Sequence, residues 1–202
     1  MKKKVNSMKV GLFFGSFNPI HIGHLIIANF MATQTNLDQV WFVVSPQNPF
    51  KSKSSLAKDY DRLNLVRLAV DNNPKLKASN IEFDLPKPSY TIDTLTYLKE
   101  KYPNKEFTLI MGGDNLTNFH KWKNYEVILE HYSIFVYKRP QYDMGPLVNH
   151  EKVTVFDAPL MQISASYVRK CISEGNSVQY LLPEVVYEYL ESSSLYRKKN
   201  LP

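Results

Sequence analysis

The chain has 202 residues, of which 44% are hydrophobic and 22% are charged, as is usual for a soluble globular protein. A chain of this length usually forms one domain, so residues 1–202 are expected to make a single domain. The formal net charge is +6, which favours anionic ligands. The chain has no basic stripe with interleaved aromatic residues, so a nucleic-acid partner is not expected.

The sequence also argues against a membrane protein and against a disulfide-rich secreted protein. No apolar run approaches the roughly 20 residues that cross a bilayer. Cys171 is the only cysteine, so no internal disulfide can form, and a cytoplasmic location is expected. The basic N-terminus leads straight into a strand-like run, so no signal peptide is expected, and residues 1–7 are expected to be a disordered tail.

Apolar runs that alternate with helical patterns predict an α/β fold. Short β-rich runs occur at residues 10–14, 40–44, 107–111, 133–137 and 153–156. Patterns with helical spacing lie between them, at residues 25–32, 59–72 and 91–102 and in a short helix that begins at Asn124. This alternation predicts a doubly wound, mainly parallel, Rossmann-like sheet, whose ligands bind beyond the carboxyl ends of the strands.

The C-terminal part, from about residue 160 to residue 202, has a different pattern. One predicted helix opens near Ser164 and ends near Gly175, and a second begins after Pro183. We therefore expect a small C-terminal helical extension of the same domain. The apolar face around Cys171 is expected to belong to the core.

The ten residues GSFNPIHIGH, at positions 15–24, connect a predicted strand to a predicted helix. A turn with small residues at a helix N-terminus exposes backbone N–H groups, which together with the helix dipole favour phosphate. His21 and His24 lie three residues apart and so share a helix face. The segment indicates phosphoryl or nucleotidyl chemistry, although a tight turn, a metal-binding histidine pair or a cap with a packed ring would also explain these residues.

This segment fits the pattern GxFxPxHxGH, and in its strand–turn–helix context it resembles the nucleotidyltransferase superfamily of phosphate-binding α/β enzymes. The resemblance implies that the segment binds ATP through Gly15, Ser16, Phe17, His21 and His24. It further implies that the two histidines are catalytic and donate hydrogen bonds to phosphate oxygens.

A second phosphate-binding element is predicted at the start of the helix near Ser164. Ser164 is a good N-cap, and capping alone explains it. The hydroxyl groups of Ser164 and Ser166 and the guanidinium group of Arg169 nevertheless converge at one helix start. ISASYVR resembles the ISxTxxR element that closes the triphosphate site in the superfamily, with Ser166 in place of Thr. The resemblance makes all three residues ATP ligands and Arg169 catalytic.

Three further segments resemble bacterial nicotinate-nucleotide adenylyltransferases in particular. PQNPFK, at positions 46–51, resembles their PxxPPHK loop, but Asn48 and Phe50 replace a Pro and a His. The role of that missing imidazole is therefore not transferred to this chain. Lys51 retains an implied catalytic role at a phosphate, and a solvated lysine is the alternative.

The other two segments are SYTIDTL, at positions 89–95, and MGGDN, at positions 111–115, which is followed by Trp122. The resemblance implies that Tyr90, Thr91, Asp114 and Trp122 bind the mononucleotide. Asp114 would accept ribose hydroxyls, and Trp122 would stack on the pyridine ring. The alternatives are a helix start capped by Ser89 or Thr91 and a simple turn at residues 112–114.

The resemblance as a whole implies adenylyl transfer from ATP to nicotinate mononucleotide, which yields deamido-NAD and pyrophosphate in NAD biosynthesis. It implies direct in-line transfer, with Mg²⁺ brought by ATP and no metal site of the protein's own. The alternatives are a preference for nicotinamide mononucleotide, another phosphorylated acceptor such as pantetheine phosphate, and a non-catalytic nucleotide- or RNA-binding module. No membrane partner is expected, and a homo-oligomer is compatible with the sequence.

Overall fold

The structure is a computed structural model that describes residues 7–46, 56–139 and 143–198. Its centre is a six-stranded sheet in which every strand pairing is parallel. The strands are β1 (Met8–Gly15), β2 (Gln39–Val44), β3 (Leu76–Ser79), β4 (Lys105–Gly112), β5 (Ser133–Tyr137) and β6 (Val153–Phe156).

Seven helices connect and follow these strands in the described part of the chain. They are α1 (Ile22–Gln34), α2 (Asp59–Val70), α3 (Thr91–Lys101), α4 (Gly113–Thr117), α5 (Tyr125–His131), α6 (Ala165–Ser173) and α7 (Glu184–Glu191). Among the described residues, no helix is both long enough and apolar enough to span a bilayer.

The strand order is β3-β2-β1-β4-β5-β6, which confirms the predicted doubly wound sheet. The chain proceeds outward from β1 through β2 to β3 and then crosses back to place β4 on the other side of β1. This reversal makes the crevice beyond the ends of β1 and β4 the expected ligand site. Gly15 ends β1 and Gly112 ends β4, so two of the predicted functional segments begin at neighbouring points.

Both faces of the sheet are covered, because successive side chains of a strand point to opposite sides. Phe13 belongs to a core that includes residues of α1, α2, α6 and α7. Leu12 belongs to the opposite core, which includes residues of α3 and α5. The C-terminal helices are therefore part of this domain's core, and Cys171 is a buried free cysteine within it, as expected.

The structure differs from the sequence predictions at β3, which they did not include. Leu76–Ser79 has only four residues, and two of them are at least partly exposed because the strand lies at the sheet edge and pairs only with β2. Such a strand lacks the continuous apolar run that marks a buried parallel strand. At the N-terminus, Ser7 donates a hydrogen bond to Glu106, and the remainder of the predicted tail lies outside the described residues.

Candidate active site

A cavity of about 650 Å³ lies at the carboxyl ends of the strands. It brings together every predicted site residue that the structure describes: Gly15, Ser16, Phe17, His21, His24, Tyr90, Thr91, Asp114, Trp122, Ser164, Ser166 and Arg169. Lys51 and its loop lie outside the described residues. Four segments spread over more than 150 residues of sequence therefore meet in one place, while the role of each residue remains a prediction.

The turn after β1 is shaped by Phe17, whose backbone adopts a positive φ of 43°. Its buried ring lies against Gly15, where a Cβ atom would come within 2.8 Å of the ring. The same ring makes an edge contact with His24, at a centroid distance of 5.1 Å. The glycine two residues before the phenylalanine is thus required by packing, and the phenylalanine supports a histidine of the site.

The two histidines form a stacked pair at the start of α1. His21 is the N-cap residue, and its ring lies 3.7 Å from that of His24, with an interplanar angle of 21°. The backbone N–H of His21 donates to Nδ1 of His24 at 3.3 Å. A neutral His24 therefore carries its proton on Nε2. The cap considered as an alternative is present, and it makes Nε2–H the donor group of the His24 ring.

His21 is only 6% exposed, and its Nδ1 has no hydrogen-bond partner among the described residues. Burial, helped by the positive charge of Arg139, lowers the pKa of His21 to about 4. The ring is therefore neutral at neutral pH and offers a single N–H donor. Gly23 lets this ring lie close, because a Cβ atom at residue 23 would be 3.2 Å from it.

The start of α6 closes the cavity on the side of the β1–α1 turn. Ser164 caps the helix by accepting a hydrogen bond from the backbone N–H of Tyr167 at 3.1 Å, as predicted for a simple N-cap. Its hydroxyl proton stays available to a ligand. Arg169 donates to the Asn18 carbonyl at 2.7 Å and to Ser166 Oγ at 3.2 Å, so it links α6 to the turn.

Asn18 holds the turn in place and was not predicted as a site residue. It is 2% exposed, and its Oδ1 accepts hydrogen bonds from the Ala57 backbone at 3.1 Å and from the Tyr196 hydroxyl at 2.9 Å. Burial raises the pKa of Tyr196, so its hydroxyl stays protonated and donates. Asn18 occupies a variable position of GxFxPxHxGH, which is why the motif alone carries no signal for it.

The N-terminus of α3 forms another wall of the cavity. Tyr90 is its N-cap residue and makes no side-chain capping bond, so the expected alternative of a cap by Ser89 or Thr91 is wrong. Ser89 Oγ is buried and has no partner among the described residues. Trp122 lines the same cavity and rests against Phe119, at a ring distance of 5.1 Å. The uncapped start of α3 and the indole of Trp122, which rests on Phe119, therefore line the same cavity.

Asp114 lies in α4, so the alternative of a simple turn at residues 112–114 is also wrong. Its Oδ1 is buried and has no partner among the described residues, and a Cβ atom at Gly112 would lie 2.4 Å from it. Its Oδ2 is 3.6 Å from the guanidinium group of Arg139. One oxygen of this carboxylate is therefore held in place, and the other is available as an acceptor.

Glu82 and Arg139 are charged residues of the cavity wall that were not predicted as site residues. Glu82 is 2% exposed and accepts a hydrogen bond from Thr94 at 2.8 Å, while its Oε2 has no partner among the described residues. Burial raises the pKa of Glu82. Arg139 lies over the ring of Tyr137 at 5.7 Å. Glu82 had no local signal, because its burial and its partners arise only in the folded chain. Arg139 belongs to the segment YKRP, at positions 137–140, which also resembles the family, but the resemblance gave it no role in the site.

Lys123 also lines the cavity without having been predicted. Its ammonium group is 3.0 Å from the Asp93 carboxylate and 4.7 Å from the centre of the Tyr90 ring. Both members of the ion pair are about half exposed, so their attraction is screened by water. The pair connects the segment that carries Trp122 to the first turn of α3.

Residues 12–171 match the family model described as cytidylyltransferase-like, which assigns this fold, with its crevice at the strand switch, to the nucleotidyltransferases. A similar solved structure is that of Plasmodium falciparum nicotinic acid mononucleotide adenylyltransferase complexed with NaAD, with a TM-score of 0.79. It covers 94% of this chain and 97% of its own length at 21% identity, and it supports the fold.

The curated relatives narrow the class. A probable nicotinate-nucleotide adenylyltransferase of Cytophaga hutchinsonii is 55% identical over 94% of this chain and 98% of its own length. That of Flavobacterium psychrophilum is 52% identical over 95% and 100% of the respective lengths. The chain belongs to the nicotinate-nucleotide adenylyltransferase family.

Proposed function

We propose that the protein transfers the adenylyl group of ATP to nicotinate mononucleotide, giving deamido-NAD and pyrophosphate, a step of NAD biosynthesis. The observation that carries this proposal is that one cavity is lined both by the β1–α1 turn, which is proposed to bind phosphate, and by the segments that contain Tyr90 and Trp122. Family membership at 55% identity supports the same reaction. One cavity that holds both substrates is what direct transfer between them requires.

The ATP half of the site is the β1–α1 turn together with the start of α6. His24 Nε2–H, the neutral ring of His21 and the Ser164 hydroxyl donate to phosphate oxygens. Arg169 is anchored on Asn18 and Ser166, and its remaining N–H groups and its charge face the polyphosphate. Lys51 is a further cation proposed for this half.

The mononucleotide half is formed by α3, α4 and Trp122. The indole stacks on the pyridine ring, and the uncapped N-terminus of α3 near Thr91 points its N–H groups at the carboxylate. Asp114 Oδ1 accepts a ribose hydroxyl, which satisfies a buried oxygen that has no partner among the described residues.

Transfer proceeds by in-line attack of a 5′-phosphate oxygen of the mononucleotide on the α-phosphorus of ATP. The new P–O bond forms as the bond to the bridging oxygen breaks, and pyrophosphate leaves with that electron pair. The attacking phosphate is ionised at neutral pH, so the protein does not need to remove a proton. Catalysis therefore consists of positioning and of stabilising negative charge, to which His21, His24 and Arg169 contribute.

The nucleotide enters as its Mg²⁺ complex in this proposal. No group of three or more His, Cys, Asp or Glu side chains that could hold a metal occurs in the described residues. In this proposal phosphate oxygens and water would supply most of the ligands of the ion, with at most a carboxylate such as Asp114 nearby. The ion's role would be to neutralise phosphate charge as the substrate complex binds.

The direct test is pyrophosphate release by the purified protein with ATP and Mg²⁺. Parallel reactions contain nicotinate mononucleotide, nicotinamide mononucleotide, pantetheine phosphate or no acceptor. We expect rapid release only with a pyridine mononucleotide, and fastest with the acid. Release with pantetheine phosphate as the only productive acceptor would indicate an adenylyltransferase for that substrate. Binding of ATP without turnover with any acceptor would indicate a non-catalytic module.

A further inference from the structure

A buried arginine lies beneath the phosphate-binding turn. Arg62 is on α2, has an exposed fraction of 0%, and donates four hydrogen bonds. Three go to backbone carbonyls: Ser16 in the turn, Ser45 after β2 at 2.9 Å and Ala57 at 3.1 Å. The fourth goes to the Asp59 carboxylate at 2.8 Å. Most of its five N–H donors are thus used inside the protein.

These bonds exclude direct contact between Arg62 and a substrate, since the guanidinium group is fully enclosed. They also fix the orientation of the peptide groups above it. In a trans peptide, the C=O and the following N–H point in opposite directions, and the Ser16–Phe17 peptide is not among the cis bonds. Because the Ser16 carbonyl points at Arg62, the N–H of Phe17 points away from it.

Phe17 has a positive φ. A non-glycine residue keeps such a conformation only where the surrounding structure imposes it. Two features determine it here. The Phe17 ring packs against Gly15 from one side, and Arg62 holds the preceding carbonyl from the other. Phe17 lines the cavity, and its N–H, which faces away from Arg62, is the group that we infer to meet a ligand there.

We propose that Arg62 is a positioning residue, which turns the N–H of Phe17 toward a phosphate group of the bound nucleotide by holding the Ser16 carbonyl. Its bond to Ser45 fixes the end of β2 in the same unit, so two strand ends and α2 share one anchor. A guanidinium group suits this task because its planar fork binds two carbonyls in fixed directions, whereas an ammonium group does not. The inference rests on the proposed function, in which phosphates lie against this turn.

The test is Arg62→Lys in the full-length protein, which keeps the charge and loses the fork. Dissociation constants are measured by titration with ATP and with adenosine. We expect the affinity for ATP to fall about three- to tenfold, the effect of weakening one hydrogen bond, while the affinity for adenosine stays unchanged. Arg67→Lys, at an exposed position of the same helix, is the matched control and should change neither constant.

A structural role alone would lower the melting temperature and reduce both affinities equally, or neither, and either result would overturn the inference. If Arg62→Lys does not fold, Asp59→Asn replaces it, because it removes the carboxylate that orients the guanidinium group. The same ATP-selective loss, of smaller size, is then expected. Equal losses for ATP and adenosine in that variant would again contradict the proposal.

The wild-type protein offers an independent measurement. The amide resonance of Phe17 should shift on addition of ATP and stay in place on addition of adenosine. The absence of an ATP-dependent shift would overturn the inference.

The results that contradict this inference differ from those that contradict the proposed function. Absence of wild-type turnover removes the proposed function, whereas turnover combined with an unchanged ratio of ATP to adenosine affinity in Arg62→Lys removes this inference alone.

Discussion

The stacked rings of His21 and His24, with centroids 3.7 Å apart, are joined by a hydrogen bond from the His21 backbone to His24 Nδ1. Ring stacking fixes the orientation of both imidazoles, and the hydrogen bond fixes the tautomer of His24. The spacing HxGH therefore does more than place two histidines on one face. It presents a rigid pair of ring N–H donors to the phosphates proposed to bind there.

Removal of either histidine is expected to reduce turnover strongly. His24→Ala and His21→Ala should each lower kcat by roughly 10²–10³, by analogy with the loss of one donor from an oxyanion hole. His24→Gln should recover part of the loss, because its amide N–H₂ can take the place of the Nε2–H. The measurement is steady-state pyrophosphate release, with circular dichroism to confirm folding. Full activity of His24→Ala would assign that ring to packing.

The pKa of His21 predicts how stability depends on pH. A folded pKa of about 4 lies below the usual 6.5, so the unfolded state binds a proton more tightly between these values. The contribution of His21 to stability is complete above pH 6.5 and is lost as the pH falls toward 4. The loss amounts to about 3.5 kcal/mol at most, at roughly 1.4 kcal/mol per pKa unit.

Urea unfolding of the wild-type protein and of His21→Gln between pH 4 and pH 7.5 measures this contribution. The stability of the variant relative to wild type should increase as the pH falls through this window. The exposed His131 is the control position, and His131→Gln should run parallel to wild type. Parallel curves for His21→Gln and wild type would show that the His21 ring titrates normally.

Glu82 predicts the opposite dependence on pH. Burial raises its pKa in the folded protein, so its stabilising contribution falls as the pH rises above the unfolded value of about 4.5. Glu82→Gln retains an acceptor for the Thr94 hydroxyl and removes the buried charge. Its unfolding free energy should therefore gain on wild type as the pH rises above 4.5.

The same unfolding experiment on Glu100→Gln, at an exposed position of α3, provides the comparison and should show no such gain. A constant difference between Glu82→Gln and wild type at all pH values would contradict the raised pKa. If Glu82→Gln instead became less stable than wild type as the pH rises, the ionised Glu82 carboxylate would be stabilised by its hydrogen bonds in the folded protein.

Most of the site was predictable because its residues occur in local patterns. GSFNPIHIGH and ISASYVR each combine a turn or cap with a helix start, and such patterns are visible in sequence. The alternation of strands and helices predicts ligand binding at the carboxyl edge of the sheet, where the first of these segments begins. The folded chain brings residues as distant as His21 and Arg169 together in one cavity there.

The features that were not predictable depend on contacts between distant segments. In the sequence, Arg62 is one of several charged residues of α2. Only its complete burial and its hydrogen bond to the Ser16 carbonyl indicate the positioning role that we propose. Glu82 and Arg139 likewise gain their significance from burial and from neighbouring charge. The positive φ of Phe17 had no sequence signal, because glycine or asparagine is the usual residue in that conformation.

The last prediction concerns the choice between acid and amide. Trp122 offers a flat face that any pyridine ring accepts, so stacking does not discriminate between nicotinate and nicotinamide mononucleotide. The uncapped start of α3 near Thr91 supplies N–H donors that an amide NH₂ group leaves unsatisfied, at a cost of about 1–3 kcal/mol. We therefore expect kcat/KM for the acid to exceed that for the amide by about tenfold to a hundredfold.

Two variants separate stacking from discrimination. Trp122→Ala should weaken both substrates and retain most of the acid-to-amide ratio. Lys123→Gln should also retain most of the ratio, because Asp93 already holds that ammonium group at 3.0 Å and offsets its charge. The measurement is kcat/KM for each mononucleotide with saturating ATP and Mg²⁺. Equal efficiency of the two substrates in the wild-type protein would refute the donor argument, and loss of the ratio in Lys123→Gln would assign discrimination to the lysine.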